Sequence, residues 1–197
     1  MKRDLLHELA GPGDSGVVAE PVPLEVGVVS AEVCEQPSGS VLSAWDRLVA
    51  ETKESDVTQL SGWAAVRRTV GYEPLYVFAW QSDVLVGGAQ VLVRRTPLIG
   101  RIGYVSYGPV IAGGVPRAAV VAALADALEG LGRTRLCALF VQPVEGDDVS
   151  AALLARGFRD SMAGVAPAAT VRIDLSATEE ELRAGLSKRI RRWTGKW

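Results

Sequence analysis

The sequence has little of what most side-chain catalysis needs, since its 197 residues include one histidine and two cysteines. His7 lies just before a Gly-Pro-Gly break, so a Ser-His-Asp or Cys-His mechanism has no base within a predicted core. Two thiols do not supply the four ligands of a structural zinc site, and we expect Cys34 and Cys137 to be reduced core residues. The sequence therefore predicts no metal site and no histidine-based mechanism, and we expect no bound cofactor.

Long apolar runs are also missing. No run approaches the roughly 20 residues that a membrane-spanning helix needs. The first residues lack the apolar stretch of a signal peptide, so we expect a cytoplasmic protein without a transmembrane segment. Apolar residues make up 48% of the chain and charged residues 22%, a balance that favours a packed core over disorder.

The formal charge of −2 conceals an asymmetry along the chain. The last fifteen residues hold six basic side chains and no acid, which leaves the preceding part clearly acidic. Such a basic segment favours an anionic partner, and the alternative is a solvated helix face. The six are Arg183, Lys188, Arg189, Arg191, Arg192 and Lys196.

Alternation and helical spacing divide the chain into a tail and a folded part. Residues 1–22 are interrupted by Gly-Pro-Gly and predict a flexible tail. The remaining patterns predict helices and strands with short connections. In order they are a strand at 24–33, a helix capped by Ser40, a helix at 60–70, strands at 74–81, 84–94 and 101–107, a helix from Pro116, a strand at 135–141, a helix from Asp147 or Asp148, a strand at 168–175 and a final helix.

Two local signals add detail to the central strands. Ser82-Asp83 predicts a tight turn between two strands, and Gly87-Gly88 predicts a bulge or kink. An antiparallel run followed by β-α-β units predicts an α/β (α+β) fold. It would have a mixed, mostly antiparallel twisted sheet with helices on both faces. This order matches the GNAT acyltransferases, and a fold match does not by itself give a function.

The C-terminal pattern predicts one amphipathic helix. Ser176 and Glu179 have the spacing of a capping box. We expect Leu182 and Leu186 to be buried against the sheet and the segment beyond Ile190 to project away. A second copy of the chain is a further candidate to cover the apolar stripe, so self-association is possible. The stripe consists of Leu182, Leu186, Ile190, Trp193 and Trp197.

The loop from Tyr107 to Pro116 departs from the cofactor-binding loop of a standard GNAT enzyme. That loop reads Arg/Gln-x-x-Gly-x-Gly/Ala and presents backbone N–H groups to the pyrophosphate of coenzyme A. Here the glycines at 113 and 114 are spaced differently, and Pro109 and Pro116 carry no N–H. We expect no binding of acetyl-CoA.

Three segments together resemble one family. Val57–Arg67 is similar to a Q-S-x-x-W-x-x-V-K/R motif, and Gly103–Val110 is similar to Y-x-P-R-G-P-V. Ala169–Ser176, with the basic residues that follow, is similar to a T-x-x-I-D-L-S strand leading into a basic helix. Across roughly residues 40–197 the chain resembles the Fem family, the transfer-RNA-dependent aminoacyltransferases that build peptidoglycan cross-bridges.

The resemblance implies a division of labour between two GNAT-like domains. The first contacts an undecaprenyl- or UDP-linked muramyl pentapeptide, and the second receives the aminoacyl end of the transfer RNA. Residues 23–176 then correspond to the first domain and 177–197 to a basic linker helix, with the second domain absent. The resemblance therefore implies no catalytic residue in this chain, and we expect the chain alone to be inactive. The alternatives are a GNAT-type N-acetyltransferase and a non-catalytic muramyl-peptide-binding module.

The resemblance also implies site residues. Arg67 stands where the family contacts the substrate diphosphate, with a solvated helix residue as the alternative. Trp63 and Tyr104 match motif aromatics, although a core position explains Trp63 equally well. Ser106 and Tyr107 replace the family's Pro and Arg, and Tyr107 can still pack on sugar or peptide. The candidates for transfer-RNA contacts, or else for linker packing, are Lys188, Arg189, Arg191 and Arg192.

Overall fold

A computed structural model describes residues 28–144, 148–167 and 176–194. The predicted tail at 1–22, the predicted strand at 168–175 and Trp197 lie outside the described residues. Within the described ranges, no helix is both long enough and apolar enough to cross a membrane.

The described chain forms one mixed sheet with helices on both faces. Among the described strands the order is β1-β2-β3-β4-β6, in which only the β4–β6 pair is parallel, and the short β5 pairs with β3. This confirms the predicted mixed, mostly antiparallel α+β fold. The strands are β1 (Val29–Cys34), β2 (Tyr72–Gln81), β3 (Val84–Thr96), β4 (Gly100–Ser106), β5 (Val110–Ile111) and β6 (Ala138–Gln142). The helices are α1 (Gly39–Glu51), a 3₁₀ turn (Val57–Gln59), α2 (Ser61–Arg68), α3 (Arg117–Arg135), α4 (Asp148–Leu154), α5 (Glu179–Gly185) and α6 (Lys188–Thr194).

The long hairpin of β2 and β3 is the centre of the sheet. Ser82 and Asp83 have φ values of 47° and 67°, the left-handed backbone that a two-residue hairpin turn needs. The predicted irregularity is confirmed, because the β2–β3 register shifts between Ala79 and Trp80, opposite Gly87. Side chains alternate between the two faces of the hairpin, as expected for strands covered on both sides.

Each face of the hairpin has its own core. Leu75, Val77 and Ala79 pack in a large cluster with α3 and α4. Tyr76 and Phe78, on the other face, pack with Trp45 of α1. Ion pairs also join α3 to α4, to Arg156 just after α4 and to the residue after β1. These pairs are Arg117–Asp148, Arg156–Asp126 and Arg135–Glu35.

Two helix starts differ from the sequence prediction by two residues. Ser38, not Ser40, caps α1, because Ser38 has the extended backbone that lets its hydroxyl accept from the Val41 amide. The capping box before α5 is formed by Thr178 and Glu181, not by Ser176 and Glu179. Both bonds of that box are present. The Thr178 amide, and secondarily its hydroxyl, donate to the Glu181 carboxylate and hold its pKa below the usual value.

The single C-terminal helix predicted from the sequence is wrong within the described residues. Leu186 has an extended backbone, so the chain forms two short helices, α5 and α6. Leu182 and Leu186 are half-buried rather than buried, and Trp193 is 62% exposed. The cysteines also differ from expectation, because Cys34 is half-buried and Cys137 is exposed in the turn before β6.

The backbone amides of α6 are expected to exchange with solvent faster than those of α3. Residues Lys188–Thr194 include no buried side chain, whereas α3 buries six apolar side chains against the sheet. Amides of α6 should therefore exchange through local fraying, and amides of α3 only through larger openings. Mass-spectrometric exchange on the intact chain measures both. Equal protection of the two helices would contradict this description of the C-terminal segment.

Tyr76 is expected to make the fold sensitive to alkali. Burial and, secondarily, the nearby Asp46 raise the pKa of Tyr76 to about 12. Because the folded state holds this proton more tightly, the stabilisation is complete below about pH 10 and is lost as pH rises towards 12. Urea unfolding at pH 8 and pH 11 should show a larger loss for the wild type than for Tyr76→Phe, by about 1–2 kcal/mol. Equal losses would contradict the assignment.

Candidate functional site

The candidate site lies where β4 leaves β3. The two strands pair from Thr96↔Gly100 to Leu92↔Tyr104, and pairing with β3 resumes at Gly88↔Val110 through β5. Between these points the chain bulges outward. Tyr107 has φ 50°, and the Gly108–Pro109 peptide is cis. The bulge leaves the middle of β3, which β2 pairs on one side, without a strand partner on the side of β4.

Gln59 fills this gap with its side chain. Its Oε1 accepts a hydrogen bond from the Gln90 amide of β3 at 2.8 Å, and its Nε2 donates to the Ser106 carbonyl of β4 at 2.7 Å. Gln59 is fully buried, and its own carbonyl accepts from the Trp45 indole N–H at 2.7 Å. The Gln59 side chain thus replaces backbone hydrogen bonds that are missing between β3 and β4.

The 3₁₀ turn that carries Gln59 is held to the sheet by further bonds. The Thr58 hydroxyl donates to the Ser106 carbonyl at 3.0 Å, and Gln90 Nε2 donates to the Thr58 carbonyl at 2.9 Å. Asp56 caps the turn by accepting from the Thr58 amide. The space is tight, since a Cβ on Gly108 would lie 2.9 Å from the Gln59 side chain. A glycine is therefore required at the bulge.

Beside this turn is an open pocket of about 510 Å³. All four substrate-binding residues predicted from the sequence line it, although they come from three separate segments. Trp63 and Arg67 come from α2, Tyr104 from β4 and Tyr107 from the bulge. The other lining residues were not predicted. They are Asp56, Val57, Thr58, Tyr72, Leu92, Ser106, Gly164, Val165, Ala166 and Pro167.

The position of α2 decides how Trp63 and Arg67 face the pocket. Its N-cap, Leu60, offers no side-chain bond, and the Asp46 carboxylate of α1 accepts from the Ser61 amide at 2.7 Å instead. Trp63 and Arg67 are four residues apart, so they share one face of the helix. Both side chains are half-buried, which places Trp63 at the pocket wall rather than in the core.

Aromatic rings form the floor of the pocket. The Arg67 guanidinium lies over the Tyr72 ring, 4.3 Å from its centroid. Tyr72 contacts Tyr104 edge to face with centroids 6.2 Å apart, and Tyr104 stacks on Phe140 at 5.7 Å. Residues 164–167 also line the pocket, and the Pro167 carbonyl accepts from the Tyr107 hydroxyl.

Two other sequence-predicted features lie away from this pocket. Lys188, Arg189, Arg191 and Arg192 are exposed on α6 and none of them lines it. The start of α3 has Pro116 at its N-cap without a side-chain cap bond. The Asp148 carboxylate lies there too, accepting from Arg117 Nη2 at 2.8 Å. A carboxylate beside a helix N-terminus competes with any phosphate for the same positive end.

Comparison with known proteins identifies the fold. No family model and no curated protein matches the sequence. Among solved structures, a ribosomal-protein-alanine N-acetyltransferase from Brucella melitensis biovar Abortus 2308 is 14% identical with a TM-score of 0.50, over 74% of this chain and 99% of that one. The aminoglycoside acetyltransferase HMB0005 from an uncultured soil metagenomic sample is 18% identical with a TM-score of 0.50, over 76% and 99%. The chain has the GNAT fold.

The likeness to a Fem protein is weaker. The solved structure of FemX is 22% identical, with a TM-score of 0.37 over 51% of this chain. The matched region spans 22% of the FemX chain, about a fifth of its length. This likeness does not establish the family.

Replacement of Gln59 is expected to destabilise the fold and to open the bulge. Gln59→Ala removes the partners of the Gln90 amide and of one bond to the Ser106 carbonyl, and it leaves a cavity, so unfolding should require about 2–4 kcal/mol less. Urea denaturation measures this difference. Gln36→Ala, at an exposed glutamine, is the matched control and should change stability by less than about 0.5 kcal/mol. Equal losses of stability in Gln59→Ala and Gln36→Ala would show that the Gln59 hydrogen bonds do not stabilise the fold.

Proposed function

We propose that this chain is the acceptor-binding GNAT-like domain of a Fem-type, transfer-RNA-dependent aminoacyltransferase. In this proposal the pocket beside the 3₁₀ turn binds a peptidoglycan precursor, a muramyl pentapeptide on a UDP or lipid diphosphate carrier. The observation that carries the proposal is the convergence of Trp63, Arg67, Tyr104 and Tyr107 on one pocket. These residues belong to the separate motifs that resemble the Fem family.

The chemistry of the pocket suits such a substrate. A guanidinium fork matches phosphate oxygens in geometry and charge, which is the role proposed for Arg67. Aromatic rings such as Tyr104 and Tyr107 offer flat apolar faces with polar edges, suited to sugar and peptide groups. Thr58 and Asp56 add hydrogen-bonding groups at the opposite side, next to the 3₁₀ turn.

The proposed reaction needs no histidine. An aminoacyl ester on transfer RNA is already activated, and an amine of the stem peptide attacks its carbonyl carbon and displaces the ribose hydroxyl. The protein aligns the two groups and stabilises the oxyanion. The family resemblance assigns the aminoacyl end to a second domain, so we assign substrate binding and no catalytic residue to this chain. Exposed basic residues of α6 are candidates for contacts with transfer-RNA phosphates.

A GNAT-type N-acetyltransferase is the second candidate, because the solved structures with the same fold include acetyltransferases. Acetyl-CoA would need donors for its pyrophosphate, and the start of α3 has a proline at its cap and the Asp148 carboxylate beside it. These features favour the first candidate.

Ligand binding to the intact chain discriminates the two proposals. Calorimetric titration with UDP-linked muramyl pentapeptide should show binding that weakens about tenfold or more in Arg67→Gln, the loss expected for a charge-assisted bond. Arg68→Gln removes the same charge from the same helix outside the pocket and should bind as the wild type does. Millimolar acetyl-CoA should leave the melting temperature unchanged. Stabilisation by acetyl-CoA without binding of the muramyl peptide would favour the acetyltransferase instead.

A further inference from the structure

The turn between β3 and β4 forms an exposed apolar tip. Leu98 is fully exposed and Ile99 is 59% exposed, although both are large aliphatic residues. They lie beyond Thr96↔Gly100, the last pair of the β3–β4 ladder, so the tip extends past the paired part of the hairpin. Single exposed apolar residues are common on protein surfaces, but two adjacent ones at the end of a hairpin are placed to enter an apolar phase.

The backbone at Leu98 is one that leucine rarely adopts. Its φ is 69°, in the left-handed region that glycine and asparagine favour and in which bulky side chains are outliers. Packing within the described chain does not explain leucine at this position, because its side chain is exposed. A residue that breaks a local backbone preference without an intramolecular gain is expected where a function requires it.

Two arginines lie opposite each other one pair behind the tip. Arg95 and Arg101 are direct cross-strand partners, and like charges at such positions repel. Arg101 faces Glu73 of β2 at 3.9 Å, whereas Arg95 is exposed and has no ion pair among the described residues. Residues 91–106 of the hairpin include no acid. An anion outside the chain would therefore relieve the repulsion at this end of the hairpin.

The same end of the sheet has further positive charge. Arg68, at the end of α2, and Arg101 line one open cavity of about 500 Å³. The two acids that line it, Glu35 and Glu73, face Arg135 at 2.9 Å and Arg101 at 3.9 Å, respectively. The acids are thus matched one to one by arginines, and the remaining arginines give this end of the sheet a net positive charge.

We propose that the tip of the β3–β4 hairpin docks on an anionic lipid surface. Leu98 and Ile99 enter the outer acyl region, and Arg95 and Arg101 bind headgroup phosphates. A strand rises about 3.4 Å per residue, so the backbone of Arg95 lies no more than about 10 Å behind that of Leu98. This distance matches the roughly 5–10 Å to which interfacial apolar groups enter a bilayer. The planar guanidinium forks suit phosphate oxygens at that depth.

The aliphatic character of the tip favours lipid over nucleic acid as the partner. Bases stack on aromatic rings and on guanidinium planes, and the side chains of Leu98 and Ile99 offer neither. A bilayer, in contrast, accepts aliphatic groups without a matching cavity, and anionic headgroups attract nearby arginines. The proposal thus uses both features of the hairpin end, the apolar tip and the arginines behind it.

Co-sedimentation of the intact chain with lipid vesicles tests this inference independently of the proposed function, because the vesicles contain no muramyl peptide. The wild type should bind vesicles of phosphatidylcholine mixed with phosphatidylglycerol about tenfold or more tightly than vesicles of phosphatidylcholine alone. Arg95→Gln should weaken binding to the anionic vesicles by about threefold or more, and Arg95→Lys should restore most of it. Added salt should weaken binding, since it screens exposed charges.

A double variant, Leu98→Asn with Ile99→Thr, tests the apolar tip. Asparagine suits the left-handed backbone, so the melting temperature should not fall, while binding to anionic vesicles should weaken by about tenfold or more. The matched control is Val84→Thr, because Val84 is 62% exposed at the β2–β3 turn, at the other end of β3. This control should bind the vesicles as the wild type does.

Three results would overturn the lipid-docking tip. The first is a wild type that does not bind anionic vesicles, or that binds them no more tightly than the folded double variant. The second is loss of vesicle binding in Trp193→Ala with no effect of the double variant, which would place the contact on the exposed, basic α6. The third is absence of vesicle binding together with transfer-RNA binding that Arg95→Gln weakens, which would make this end of the sheet an RNA surface.

Discussion

The hydrogen bonds of the Gln59 side chain hold the candidate site together. Without them β3 has an unpaired amide at Gln90 and β4 loses a partner of its Ser106 carbonyl, both at the one place where the sheet is interrupted. Buried backbone groups are seldom left unpaired because desolvation makes them costly. The amide of Gln59 can satisfy an N–H and a C=O at once. The site therefore depends on a residue that does not line the pocket.

Two glycines of β3 allow helices to pack closely on both faces of the strand, next to the hydrogen bonds of Gln59. A Cβ on Gly88 would lie 2.8 Å from the Trp45 ring, and one on Gly87 would lie 2.9 Å from Val120 of α3. Both helices therefore approach β3 closely, from opposite faces. Trp45 in turn donates to the carbonyl of Gln59, so the packing of α1 and the position of the 3₁₀ turn are coupled. A change in core packing should be transmitted to the pocket wall through this bond.

The sequence was most informative where a pattern reports a local backbone preference. The strand patterns at 74–81 and 84–94 with the Ser82-Asp83 turn predicted the hairpin, and the Gly87-Gly88 pair predicted its irregularity, which lies beside Gly87. Trp63, Arg67, Tyr104 and Tyr107 were chosen from separate motifs and line one pocket, and their role in substrate binding stays a prediction. The C-terminal helix was mispredicted because spacing alone does not register the extended backbone at Leu186.

What the sequence could not supply was the partner of each polar group. Gln59 belongs to a quoted motif, yet its role appears only when β4 is seen to leave β3. Arg94 ends an apolar strand and resembles any solvated arginine until the hairpin register places it opposite Tyr72. Both cases involve residues brought together by strand pairing over long sequence separations. Under the proposed function, such a pocket would orient the acceptor by shape and charge, which is the contribution a domain can make to a reaction whose acyl group arrives already activated.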